Sequence, residues 1–498
     1  MNKGENEMKN LLLTITFALL AFSFSYSQSF EKFEKFFNDV TMRIDYNHVG
    51  NSAEEIISID HVFKYGSWAG SRVNLIDNFN NGRYYLKIYD AGSGELIFSK
   101  GFDSYFGEYQ TSQAAIDGIK RVYHETAIIP HPKNPIIFAM ERRAKTNQLF
   151  EIFRKEINPE DISIIREEMK MRSVKVYSAD TNGDSHERVD IAIIGEGYSL
   201  DDRLKFEKDL NYFSKVFFSY EPYVKYENKF NIHGIYIPSE ESGTDEPPSN
   251  IYKNTALNST FNSLGSERYL LTEDNKAVRD IASHVPYDAI YIMVNHKRYG
   301  GGGIYNTFCA FTSDNQFRDY LFIHEFGHSF SGLADEYYTS ESVYNDFYPP
   351  GTEPLEPNIT ALFGSDKVKW NEFLSPGIEV PTPWEKEVYD SIDNKWQKER
   401  RELNTKIAEL KRKNSAPAAI ESAESEYALK HKLHSEKTNK YLNTSKFSGM
   451  VGVFEGAGYS SQGLYRPMVD CIMFSKATKT FCKVCEAHIV KVIEHYTE

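Results

Sequence analysis

The chain has 498 residues, 41% apolar and 26% charged, with 57 Lys plus Arg against 71 Asp plus Glu for a net charge of −14. This length suits two or three domains, and the apolar share suits a chain that builds real cores. An acidic balance with no long basic run argues against a nucleic-acid partner, because phosphate binding needs a concentrated positive face.

At the N-terminus, Lys9 precedes an apolar stretch from Leu11 to Phe24, followed by Ser25-Tyr26-Ser27 and Gln28. A basic residue, a short apolar core and small residues at the last and third-last positions predict a signal peptide over residues 1–27. The mature protein is then expected outside the cytoplasm: secreted, periplasmic or at the cell surface. The apolar run falls short of the ~20 residues that span a bilayer, and no later segment reaches that length, so no stable membrane insertion is expected. Residues 28–175 read as an N-terminal β-sandwich-like domain. Arg83 to Tyr89 alternates, Ala91-Gly92-Ser93-Gly94 turns, and Leu96-Ile97-Phe98 resumes, which is a hairpin pattern. Turn-rich Ser178 to Asp184 marks the boundary; its spaced acids resemble the start of a calcium loop but lack the closing Glu, so a linker turn is preferred.

Residues 185–498 turn α/β. Val189 to Ile194, Phe230 to Ile237 and Ala289 to Val294 read as strands, and Asp201 to about Ser219 as a helix with apolar residues near a helical period. The glycine run Gly300 to Gly303 lacks the Lys-Ser/Thr of a phosphate loop and leads into an expected edge strand from Ile304 to Phe311. Residues 384–443 are charged and lack Gly, with a break at Asn414-Ser415-Ala416-Pro417; they predict a helical hairpin inserted in the second domain, its charge a solvated face or a docking arm. Overall the expected class is α+β. Of the four cysteines, Cys471, Cys482 and Cys485 crowd the C-terminus beside the more distant Cys309. In an exported chain they predict at least one disulfide there, with half of a structural zinc site or a redox pair at Cys482–Cys485 as lesser readings.

The chemistry concentrates in His324-Glu325-Phe326-Gly327-His328. Histidines four apart on a helix project from one face, and Glu325 beside the first can reach a water on a metal held between them. Gly332 suits a left-handed helix end, after which the chain can turn back and deliver a carboxylate: Asp335, with Glu336 as rival ligand or as a partner that orients an imidazole. Two histidines and one carboxylate leave a position for water, as a catalytic zinc site requires. From spacing alone, Met473 in Cys471-Ile472-Met473 reads as a methionine filling a core gap.

Together with Val189-Asp190-Ile191, Gly195-Glu196-Gly197-Tyr198, Phe230-Asn231-Ile232, Ser242-Gly243-Thr244-Asp245, Tyr299 to Gly303, His324 to Tyr337 and Tyr465-Arg466-Pro467, these segments resemble the IgA-peptidase family of bacterial zinc metallopeptidases, metzincin-like zincins. The resemblance implies an α/β zincin catalytic domain, a Zn2+ ion bound by His324, His328 and Asp335, a catalytic Glu325, a turn methionine at Met473, and a protein or peptide substrate. Gly332 and Asp335 fall one residue later than their metzincin counterparts, and Ser475 stands where some metzincins carry a tyrosine that steadies the transition state. Tyr465, Arg466, Tyr337 and Tyr305 are candidates for that role. Two competing expectations are a secreted binding protein with a vestigial zinc site, and a thermolysin-type peptidase whose third ligand is a distant glutamate.

Overall fold

A computed structural model describes residues 30–166, 171–339, 348–349, 351–364, 367–476 and 478–498. The expected signal peptide lies outside the described residues. Among those residues no helix is long and apolar enough to cross a membrane.

After a short helix α1 over residues 30–36, strands β1 (Phe37–Gly50) and β2 (Glu55–Tyr65) form an antiparallel pair. Then come β3 (Tyr84–Asp90), β4 (Leu96–Phe102), helices α2 (Tyr105–Tyr109) and α3 (Gln113–Ile116), β5 (Arg121–Pro132), β6 (Ile136–Arg143) and β7 (Leu149–Ile157). They make two sheets, ordered β2-β1-β5 and β4-β3-β6-β7. Because side chains alternate across a strand, Met42, Ile44 and Tyr46 of the first sheet and Ile88, Phe138 and Met140 of the second meet in one apolar core. The hairpin expected from Arg83 onward is β3–β4.

The second half is built on a six-stranded sheet ordered β12-β13-β11-β9-β10-β8. Its members are β8 (Lys175–Asp180), β9 (Val189–Glu196), β10 (Phe230–Tyr236), β11 (Ala289–Val294), β12 (Gly301–Ile304) and β13 (Phe308–Thr312). The four central strands run parallel and the two outer ones antiparallel. Strand β8 runs from Lys175 through Ser178, Ala179 and Asp180, so the first part of the stretch read as turn-rich is an outer strand of this sheet. Both faces are covered, which explains the near-continuous apolar runs of β9 and β11. Ile191, Ile193, Tyr291 and Met293 face α4 (Arg203–Phe217) and the helix that carries the histidines. Ala192, Ile194, Ile290 and Ile292 face α5 (Asn275–Ala282).

The expected edge strand from Ile304 to Phe311 is corrected. Asn306, at φ 54°, and the Thr307 N–H bonded to the Ile304 carbonyl at 3.0 Å make a turn in its middle. The glycine run itself is the edge strand β12, and β13 lies one place inside. Helix α6 (Arg318–Ser331) follows, then the antiparallel pair α7 (Lys386–Arg412) and α8 (Pro417–Asn443), the hairpin β14 (Phe454–Ala457) and β15 (Ser460–Arg466), and α9 (Lys483–Thr497). The observed class is mixed α and β with several sheets.

Candidate metal centre

Tyr320, Leu321, Ile323, Phe326 and Phe330 give α6 its buried face, with Phe326 stacked on Tyr291 at 5.0 Å. Gly332, at φ 58°, closes the helix and donates its N–H to the His328 carbonyl, as its position suggested. The chain then doubles back and brings Asp335 to the two histidines. The Nε2 atoms of His324 and His328 are 3.2 Å apart, and Asp335 Oδ1 lies 3.1 and 3.2 Å from them.

The remaining ring nitrogens are held by backbone carbonyls: His324 Nδ1 lies 3.0 Å from Ile472 O, and His328 Nδ1 2.6 Å from Leu333 O. A carbonyl only accepts, so Nδ1 carries the proton and the Nε2 lone pairs point at the space shared with Asp335. Tetrahedral zinc with bonds of about 2.0–2.1 Å sets neighbouring donors about 3.3–3.4 Å apart, which these three spacings approach. Asp335 Oδ1 is buried, with the two imidazole Nε2 atoms as its near polar neighbours, as a ligand atom would be. The residues present therefore fit a divalent cation. Burial works to lower the His328 pKa, but the charge and hydrogen bond of Asp335 outweigh it and raise it to about 9. Burial likewise opposes ionisation of Asp335, yet His328 and His324 hold its carboxyl well below the usual range. Protons and a cation thus compete for one set of lone pairs.

A carboxylate oxygen of Glu325 lies within 4.8 Å of both histidines' ligand nitrogens. Burial raises its pKa, which His324 and His328 oppose and Asp335 reinforces. Strand β12 lies against it: a Cβ on Gly301 would come within 2.6 Å of Glu325 Oε1, and one on Gly303 within 2.5 Å of the Glu325 carbonyl. The glycine run is thus the close approach of a sheet edge to α6. On another side of the helix, a Cβ on Gly327 would meet Met473 Sδ at 2.8 Å, so Met473 packs directly on the residue between the histidines.

The cleft over these groups is lined by Arg268, Tyr337, Tyr459 and Lys476, and by Trp396 and His431 of the helical hairpin. Arg268 Nη2 donates to Tyr337 Oη at 2.8 Å, and Tyr459 Oη donates to Asp335 Oδ2. Burial, with Arg268 and Arg400 nearby, lowers the Lys476 pKa to about 7. Of the four candidates for the transition-state role, Tyr337 and Tyr305 line this cleft and Tyr465 and Arg466 do not. Arg466 is buried, donating to Gly456 O at 2.6 Å and resting 3.9 Å from the Phe474 ring. Arg268, Tyr459 and Lys476 carried no pattern in the sequence, since they stand on turns and loops whose return to the cleft depends on the fold.

Two expectations about the neighbouring residues are corrected. Glu336 neither approaches the histidines nor orients an imidazole; its Oε1 faces Cys485 Sγ at 3.3 Å and Cys482 Sγ at 3.8 Å. The expected C-terminal disulfide is absent: all four cysteines are free and buried, and the Cys471 and Cys485 sulfurs stand 3.9 Å apart. Successive residues on an extended segment point to opposite sides, so delivering Asp335 to the histidines sends Glu336 the other way.

Residues 178–493 match the family model described as IgA Peptidase M64, and residues 32–154 match the one described as Peptidase M64 N-terminus. No curated protein matches the chain. With more than half of its length matched by the first model, and its N-terminal sheets by the second, the chain belongs to this IgA-peptidase family and is a peptidase.

Proposed function

We propose that the chain is an exported zinc-dependent endopeptidase with a metzincin-like zincin catalytic domain, in which His324, His328 and Asp335 hold the metal and Glu325 moves the protons. The reading is carried by the convergence of three buried donor atoms at 3.1–3.2 Å, with both imidazoles fixed through Nδ1. Bound zinc would supply Lewis acidity toward the scissile carbonyl and acidify water. Glu325, its pKa raised by burial, is suited to accept a proton on its carboxylate and pass it to the leaving amine. Tyr337, which lines the cleft and accepts from Arg268, would supply the hydroxyl that meets a developing oxyanion. The outer edge of β12, beyond Gly301 where Arg268 and Leu270 already pair, would take an extended substrate backbone as an added strand. Such main-chain pairing accepts many sequences, so the family's name is no guide to this chain's own substrate.

The test is a pair of variants assayed for bound zinc and for cleavage of a diverse peptide library. Glu325→Gln should keep its zinc and lose at least about 100-fold in turnover, the usual share of a general base. His324→Ala should lose both. Full turnover in Glu325→Gln would remove the proton-transfer role, and absence of chelator-sensitive cleavage by the unmodified chain would favour a vestigial site.

A further inference from the structure

Behind the Asp335 side of the cleft, Glu336, Cys471, Cys482 and Cys485 form a second cluster, and their ligand atoms all lie within 4.8 Å of one another. All four residues are buried. They come from three separate places: the segment after α6, the turn that carries Met473, and the start of α9. We propose that this cluster is a second metal site, a structural Zn2+ held by the thiolates of Cys471, Cys482 and Cys485 and a carboxylate oxygen of Glu336.

The spacing has the right size. Zinc with Zn–S bonds of about 2.3 Å and a Zn–O bond of about 2.0–2.2 Å gives tetrahedral edges of about 3.8 Å between sulfurs and about 3.5 Å from sulfur to oxygen. The observed edges are 3.9 Å for Cys471 to Cys485, and 3.8 and 3.3 Å from Glu336 Oε1 to Cys482 and Cys485. A disulfide needs about 2.05 Å and allows only two partners, so it would leave a third thiol and a carboxylate stranded. Backbone amides already face the sulfurs. The N–H of Cys482 points at Cys471 Sγ (3.1 Å), that of Met473 at Cys471 Sγ (3.5 Å) and that of Cys485 at Cys482 Sγ (3.4 Å). Such donors favour thiolates over thiols. Asn358 Nδ2 orients the Glu336 carboxylate at 3.1 Å, while Glu336 Oε2 is buried without a partner.

Loading replaces protons on these four groups by one Zn2+. The protons that the thiols and the carboxyl still carry leave to solvent, and three thiolates, one carboxylate and Zn2+ sum to a charge of −2. Arg466, whose charge acts on Glu336, is the cation at hand to offset it. The ion would join the segment bearing Asp335 to the turn bearing Met473, which are already linked by the Glu336 N–H to Met473 O bond at 2.8 Å. It would also explain how three crowded thiols persist in a chain read as exported, where unprotected thiols oxidise.

The experiment is metal analysis of the full-length mature chain. The unmodified protein should carry two zinc per chain, His324→Ala one, and Cys482→Ser/Cys485→Ser one. If the double variant does not fold, Co2+ replacement of the unmodified protein decides. A near-ultraviolet sulfur-to-cobalt charge-transfer band that survives in His324→Ala supports the site. Cysteine alkylation adds a third measure, with Cys471, Cys482 and Cys485 protected until a strong chelator is added. One zinc in the unmodified chain and none in His324→Ala would overturn the second site while leaving the first intact. A disulfide among the three cysteines in freshly purified protein would overturn it as well.

Discussion

Tyr459 stands at φ 62° beside Gly458 at φ 53°, in the two-residue turn that joins β14 to β15. Paired left-handed residues make a tight hairpin turn, but a bulky side chain in that region is an outlier that costs of order 1 kcal/mol or more. The surroundings show what the conformation achieves. The Gly458 N–H bonds to Asp335 O and the Tyr459 N–H to Tyr337 O, both at 3.0 Å, and the phenol donates to Asp335 Oδ2. The hairpin tip therefore holds the backbone and the side chain of the proposed third ligand together. Removing the phenol hydroxyl from such a supporting partner weakens metal binding by roughly 10–100-fold. Tyr459→Phe should show that loss in competition with a chromophoric chelator, with the fold intact by circular dichroism. Unchanged zinc affinity would mean that the hydroxyl does not serve the ligand. None of this was legible in Gly456-Ala457-Gly458-Tyr459, which reads only as a turn. The histidines and Asp335 were legible because helix periodicity and a helix-ending glycine convert sequence spacing directly into geometry. Glu336 and the three cysteines were not, since their meeting depends on contacts between segments more than a hundred residues apart.

At the level of elements, the charged stretch from Lys386 to Asn443 has two faces. Its solvated side accounts for the composition. Its inner side is a stripe in α7 of Tyr389, Asp393, Trp396 and Leu403, spaced so as to fall on one helix face, with Trp396 stacked on His431 and His434 of α8 at 5.2 Å. The stripe was hidden in the sequence because polar Asp393 and the aliphatic stems of charged residues interrupt it. This hairpin is anchored by Glu246, which is 3% exposed and meets His296 Nε2 at 3.3 Å, Arg298 Nη1 at 3.1 Å and Lys411 Nζ of α7 at 3.0 Å. Burial works against its charge, but His296, Lys411 and Arg298 prevail and hold its pKa far below the usual range. The folded value is depressed, so its stabilisation is present above the ordinary glutamate range and is lost only as pH falls through strongly acidic values. Glu246→Ala leaves His296 and Arg298 without this carboxylate, while Lys411 keeps Glu424 at 3.1 Å, and a buried pair broken on one side costs about 3–5 kcal/mol. The variant should unfold earlier in urea and be cut faster within residues 384–443 by a trypsin-type protease. Cutting no faster than in the unmodified chain would show that the hairpin is held elsewhere.

Across the whole molecule, the N-terminal sheets and the second half of the chain meet through polar bonds. Arg43 of β1 pairs with Asp280 of α5 at 2.7 Å, and Asn81 Nδ2 donates to Gly332 O at 3.1 Å, where the helix of histidines ends. Asp103 and Glu108, from the N-terminal portion, line the cleft itself. Helix α2, which carries Glu108, is fixed by a buried network around His48 of β1. His48 Nδ1 faces Glu125 Oε2 of β5 at 2.8 Å, Nε2 faces Glu55 Oε1 of β2 at 2.7 Å, and the ring stacks at 4.0 Å on Phe106 of α2. Tyr84 Oη of β3 and Arg142 Nη1 of β6 complete the shell by contacting Glu55 at 3.0 and 2.6 Å. Burial works to lower the His48 pKa, but Glu125 and Glu55 outweigh it and raise it to about 9. The unfolded chain should return to about 6.5, so between these values the native state binds more protons than the unfolded one. The His48 contribution is therefore complete below about pH 6.5, and is lost as pH rises through about 9. Its size is on the order of a few kcal/mol, since each tenfold gain in proton affinity on folding corresponds to about 1.4 kcal/mol. Urea midpoints of zinc-loaded protein should exceed those of His48→Gln near pH 6.5, and the gap should narrow as pH rises toward 9. The gap between the two curves isolates His48 from Lys476 and the other groups that titrate in the same range, because those remain in both proteins. Parallel curves would mean that His48 is not charged in the native state. A narrowing gap would show that alkaline pH withdraws the His48 contribution from the network that fixes α2, the helix whose Glu108 lines the cleft.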